Sequence, residues 1–205
     1  MYVLLLTSLL TMPLYPLNPT VQDTLPAHCL HVTIGAIGPD ELVKTGPEVT
    51  LKDEFLIHHP ILLRAAIEYR YGSITSRQYP NGHLQGVTVA ASVLYYRGTN
   101  YMTGYLGAGL VYTMSQVSMR SSVADSMYRN EGVTGVDLSS TPGYRFTFGL
   151  RYDKSVSLEL TLTNTRPDFV KERAFSNLSM SRTSEPLKIN DVRVTLGYIF
   201  RLSRH

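Results

Sequence analysis

The stretch VRVTLGYIFRL, residues 192–202, decides the architecture. Val192, Val194, Leu196, Tyr198, Phe200 and Leu202 are interleaved with Arg193, Thr195, Gly197 and Arg201. A period of two places the two sets on opposite faces of an extended strand. One face is almost purely apolar, while the other carries guanidinium groups. Eleven residues also match the roughly 9–11 that a tilted strand needs to cross a bilayer. A strand that is apolar toward lipid and polar toward a lumen is the repeating unit of a transmembrane β-barrel.

Working back from this segment, seven further strands can be laid out. They fall near 30–38, 46–57, 61–74, 84–97, 101–117, 143–152 and 155–163. In the third, Leu63, Ala65, Ile67, Tyr69 and Tyr71 face one way and Arg64, Glu68 and Arg70 the other. In the sixth, Tyr144, Phe146, Phe148, Leu150 and Tyr152 oppose Arg145, Thr147, Gly149 and Arg151. Tight connections near 58–60, 98–100 and 153–154 alternate with longer ones near 39–45, 75–83, 120–141 and 166–188. Outer-membrane barrels alternate short periplasmic turns with longer external loops. The expected fold is therefore all-β, an eight-stranded antiparallel up-and-down transmembrane barrel with both termini periplasmic.

Composition agrees. Hydrophobic residues make up 43% of the 205-residue chain and charged residues 17%, against about 25% charge in an average soluble domain. A net charge of +3 with the basic residues spread along the chain gives no nucleic-acid footprint. Residues 2–17 form an apolar, Pro-interrupted run resembling the core of a secretory signal peptide. The domain reading is a signal peptide and N-terminal tail over 1–28, followed by the barrel over 29–205. Cys29 is the only cysteine, so no internal disulfide can form. His28, Cys29 and His31 lie close in sequence but supply no framework for a metal site, and no cofactor is expected.

The parity of the strands assigns a lumen set. It contains Lys52, Arg64, Arg70, Arg145, Arg151, Arg193 and Arg201 against Glu48, Glu54, Glu68 and Glu159. Eight strands enclose only enough room for side chains to fill, and isolated buried charge is expensive. The expectation is a packed, mutually paired polar core rather than an ion conduit. Gly86, Ala90, Ser92, Gly107 and Gly109 read as spaces for the long arginines opposite. Aromatic residues sort into two belts. Tyr71, Tyr112, Tyr144 and Phe146 lie toward the loop end, and Phe55, Tyr95, Tyr152, Tyr198 and Phe200 toward the turn end, as expected of amphipathic rings at two interfaces. Asp53 breaks the pattern by falling on the apolar parity, which requires either a β-bulge or a position at the interface.

These residues resemble the small OmpA/OmpX-type outer-membrane barrels over about 30–203. The most specific parts are GPEVTL (46–51), LLRAAIEYRYGS (62–73) and VRVTLGYIFRL (192–202). The last is similar to the C-terminal signal read by barrel-assembly machinery, although residues 201–205 follow its Phe200. The resemblance implies a bacterial outer-membrane location, with membrane lipid and lipopolysaccharide as the neighbouring molecules. Such barrels host structural proteins, adhesins and enzymes alike. The leading expectation is a non-enzymatic barrel whose loops serve surface interaction or envelope integrity, with Arg166, Lys171, Arg173 and Arg182 as candidate loop contacts. The alternatives are a lipid-modifying barrel enzyme, for which His31 and His83 are the histidines to test, and a soluble lipocalin-like barrel, which would be apolar inside.

Overall fold

The computed structural model describes residues 28–38, 46–73, 82–98, 101–119, 124–125, 128–129, 132–153, 155–174, 180–186 and 189–201. The proposed signal peptide lies outside the described residues. Eight long strands close into a barrel: β1 (His28–Ile37), β2 (Gly46–His58), β3 (Ile61–Ser73), β4 (Gly82–Gly98), β5 (Met102–Met119), β7 (Thr141–Tyr152), β8 (Val156–Thr165) and β11 (Ile189–Arg201). Each pairs antiparallel with its neighbours, and β1 closes the ring against β11 from Cys29↔Arg201 to Ile37↔Arg193. Closure removes the open sheet edges that a hydrocarbon environment would penalise.

Period-two alternation sets the orientation of every wall. Along β3 and β8, exposed and buried residues strictly alternate over most of their length. In β11, Leu196 is 60% exposed while Arg193 is 1% exposed. The apolar members therefore face outward and the charged members inward, opposite to the orientation a lipocalin-like barrel requires. No helix among the described residues is long and apolar enough to cross a membrane; the strands form the crossing.

Three connections are tight. The chain reverses at His59-Pro60 between β2 and β3, between Gly98 at the end of β4 and Met102 at the start of β5, and between Tyr152 at the end of β7 and Val156 at the start of β8. Asp153 there adopts a left-handed φ of 47°, which Asp tolerates better than most residues. The opposite end carries the long connections. Two of these contain further structure: β6 (Val133–Leu138), β9 (Asp168–Ala174) and β10 (Met180–Pro186) form a separate sheet in the order β10-β9-β6. Sequence had marked 120–141 and 166–188 as polar loops, so this sheet is an addition. It joins two connections into one body. At its base Ser139 N donates to the Asp168 carbonyl at 2.9 Å, and Asp168 N donates to Ser139 Oγ at 2.7 Å. Val133, Leu138, Phe169 and Val170 are buried, supplying the sheet with apolar contact.

The pairing also settles Asp53. Register runs without interruption from Glu48↔Arg70 to Leu56↔Leu62, and the irregularity falls later, between Leu56 and His58. Asp53 therefore keeps its outward parity near the turn end of the wall. There its Oδ1 lies 2.6 Å from His28 Nε2, and His28 stacks on Phe55 with ring centroids 4.4 Å apart.

Candidate functional site: a charge-paired lumen

The inward positions bring together ten of the eleven charged residues expected there; the side chain of the eleventh, Arg201, lies outside the described residues. They fall into two clusters along the barrel axis. Toward the turn end, Glu54 accepts from Arg64 Nε at 2.8 Å and from Arg151, and its Oε2 lies 3.2 Å from His31 Nε2. Glu159 accepts from Lys52 Nζ at 2.9 Å, Arg64 Nη1 at 2.5 Å and Tyr105 Oη at 2.8 Å. Toward the loop end, Arg145 holds Glu68 through both terminal nitrogens, at 2.5 and 2.7 Å. Arg193 bridges Glu68, Glu48 and Asp191. Arg70 donates to Asp191 at 2.6 Å and to Ser115 Oγ at 3.0 Å. Bidentate guanidinium–carboxylate pairs are the geometry in which buried charge is best compensated.

Two members were missed in the sequence reading. Asp191 shares the odd parity of Arg193, so the signal was available one residue before the segment that set the pattern. Tyr105 is less obvious, lying among the glycines at 104, 107 and 109. Its ring lies close to two cations, 5.1 Å from Arg64 Cζ and 5.0 Å from Arg151 Cζ, a cation–π arrangement. A Cβ on Gly149, its cross-strand partner, would collide with that ring. Glycine is required here because the aromatic plane lies directly over the backbone.

The reading of small residues as arginine spaces holds for one of them. A Cβ on Gly86 would meet Arg70 Nε at 3.0 Å. Gly107 instead makes room for Leu94, Gly109 for Ser92, and Ala90 packs with Ala66 and Val111. These apolar contacts extend to both ends of the lumen. Leu62, Leu94, Tyr96 and Tyr105 form a buried layer at the turn end, with Leu56 against it. At the loop end Ile37, Leu84 and Ile189 are buried above the Arg70–Asp191 pair. The space left beside that pair is about 10 Å³, the room of a single water. The lumen is thus a two-cluster ionic core between apolar layers, rather than polar throughout.

His28, Cys29 and His31 do not converge. His28 faces outward against Phe55 and Asp53, whereas Cys29 and His31 are buried inside. Among the described residues no group of three or more potential metal ligands is found. His83 is the second residue of β4 rather than part of a loop; it is the cross-strand partner of Ser73 and Ser118 and stacks on Tyr71 at 5.4 Å. Of the loop candidates, Arg166 is exposed, and Lys171 Nζ lies 5.9 Å from the Phe169 ring centre. The side chains of Arg173 and Arg182 lie outside the described residues.

An eight-stranded barrel with an apolar exterior, aromatic belts at both ends and a charge-filled lumen defines the class of small outer-membrane β-barrels. No family model and no curated protein matches the chain. Solved structures do. It is similar to the outer membrane protein OprG from Pseudomonas aeruginosa at 15% identity and TM-score 0.62, over 89% of this chain and all of that one. It is similar to outer membrane protein AlkL in lipid bilayers at 12% identity and TM-score 0.54, over 94% of this chain and 98% of that one. Neisserial surface protein A matches at 13% identity and TM-score 0.50, over 86% of this chain and 97% of that one. These likenesses concern the fold.

Proposed function

We propose that the protein is a non-enzymatic bacterial outer-membrane barrel, with both termini in the periplasm, whose loop sheet faces the cell exterior and serves surface interaction or envelope integrity. The charge-paired lumen supports this reading. Paired charges line it and buried apolar residues stand at both of its ends, which favours a structural role for the inward face and leaves the loops as the surface for contacts. Membrane lipid is the partner of the outer wall, lipopolysaccharide neighbours the loop end, and the closing strand is the segment that barrel-assembly machinery would read. Reconstituted in planar bilayers, the protein is expected to show no steady channel. Regular ion-selective conductance would overturn the reading.

A lipid-modifying enzyme is the second reading, and one observation favours it. His83 stands between Ser73 and Ser118 on neighbouring strands, and a hydrolase would need such a base beside a hydroxyl. A His83→Ala variant assayed for lipid A deacylation against the parent protein separates the two. Activity that is present in the parent and lost in the variant would replace the first reading with this one.

A further inference from the structure

The Asn and Gln residues of the described chain are not scattered. There are four, and they form two cross-strand pairs, Gln85 with Gln116 and Asn164 with Asn190. In each pair one amide donates to the other's oxygen, Gln85 Nε2 to Gln116 Oε1 at 3.2 Å and Asn164 Nδ2 to Asn190 Oδ1. Both pairs lie on the outer wall at the loop end. Each stands one outward step beyond the last apolar pair, Val87–Met114 in one case and Leu162–Val192 in the other. Each also adjoins a tyrosine: Tyr69 Oη lies 3.5 Å from Gln85 Oε1, and Tyr144 is the cross-strand neighbour of Asn164. The turn-end rim has aromatics and the His28–Asp53 pair, and among the described residues it has no amide.

The two rims therefore meet different chemistry. A carboxamide offers two N–H donors and an oxygen with two lone pairs. Pairing amide to amide uses only part of that capacity, and Gln116 and Asn190 are exposed. What remains is uncharged, donates and accepts, and stands beside aromatic surface. That set suits the hydroxyl and amide-linked groups of sugars. A headgroup recognised through phosphate alone would call for cations at both pairs, whereas among the described residues an exposed arginine, Arg166, follows only the Asn164 pair.

We propose that the two amide pairs are contact points for the sugar headgroup of a glycolipid in the leaflet around the loop end. The proposal rests on the outward orientation of that end stated above. The test is to titrate the barrel in detergent micelles with lipopolysaccharide and, separately, with phosphatidylglycerol. The side-chain NH₂ resonances of Gln85, Gln116, Asn164 and Asn190 are followed by NMR. Lipopolysaccharide is expected to shift all four, and phosphatidylglycerol is not. Replacing all four with Ala is expected to weaken lipopolysaccharide binding about tenfold, the scale of a few lost hydrogen bonds, while the barrel keeps its heat-modifiable mobility. Equal shifts with both lipids, or undiminished binding by the variant, would overturn the proposal. Orientation is checked on whole cells with Arg166→Cys in a Cys29→Ala background and a membrane-impermeant thiol reagent. Labelling combined with indifferent amides sinks this inference alone, whereas a protected Cys at 166 removes both.

Discussion

The two charge clusters of the lumen solve one problem with different materials. The turn-end cluster sets Lys52, Arg64 and Arg151 against Glu54 and Glu159, so cations outnumber carboxylates. Tyr105 makes up part of the difference, with its ring close to two guanidinium groups and its hydroxyl on Glu159. The loop-end cluster sets Arg70, Arg145 and Arg193 against Glu48, Glu68 and Asp191, one carboxylate for each cation. There Arg193 is shared by all three acids, so no single acid is its only support. A buried cluster short of carboxylates depends more heavily on each one it has.

Substitution can break this contrast. Glu159→Gln is expected to have the largest effect. It deprives Lys52, Arg64 and Tyr105 of a shared carboxylate and leaves one carboxylate for three cations, costing about 3–5 kcal/mol, the range for breaking a buried pair. Urea unfolding in lipid vesicles measures it. Glu68→Gln is expected to cost less, about 3 kcal/mol at the low end of the same range, because two carboxylates remain for three cations and Arg193 keeps Glu48 and Asp191, although Arg145 loses its carboxylate partner. If the two losses are equal, or their order is reversed, the contrast fails. Gly149→Ala sharpens it with a smaller effect. The added methyl pushes the Tyr105 ring off its seat, and a cost of about 2 kcal/mol is expected for such overpacking. Its coupling to Glu159→Gln in a double-mutant cycle should exceed its coupling to Glu68→Gln, since Tyr105 belongs to one cluster only.

Much of the barrel could be read from parity, because a slip of one residue would carry every arginine of a strand into lipid. The closing strand alone assigned Val194 and Leu196 outward and Arg193 inward, and the structure places them so. Ten luminal charges followed from the same count. Parity failed where its period fails. Phe169 and Val170 are adjacent and both buried, so β9, which pairs with strands on both sides, shows no two-residue rhythm there. The pairing of β6 with β9 joins segments more than thirty residues apart, and local propensity carries no information about such distant partners. Tyr105 was obscured by the glycines around it, which read as empty space until the ring that occupies it was seen. The apolar layer of Leu62 and Leu94 was passed over because inward leucine at the end of a polar lumen contradicts a simple polar-inside rule.

The account depends on lipid wetting the apolar wall while the charges stay sealed within. Nitroxide labels on single cysteines at 158, 194 and 159, in a Cys29→Ala background, test that directly in reconstituted vesicles. Labels at the Leu158 and Val194 sites are expected to collide freely with oxygen and hardly at all with a water-soluble nickel complex. A label at the Glu159 site is expected to be shielded from both, with the fold confirmed by heat-modifiable mobility. Water contact at 158 and 194 together with oxygen contact at 159 would contradict the account and turn the barrel inside out.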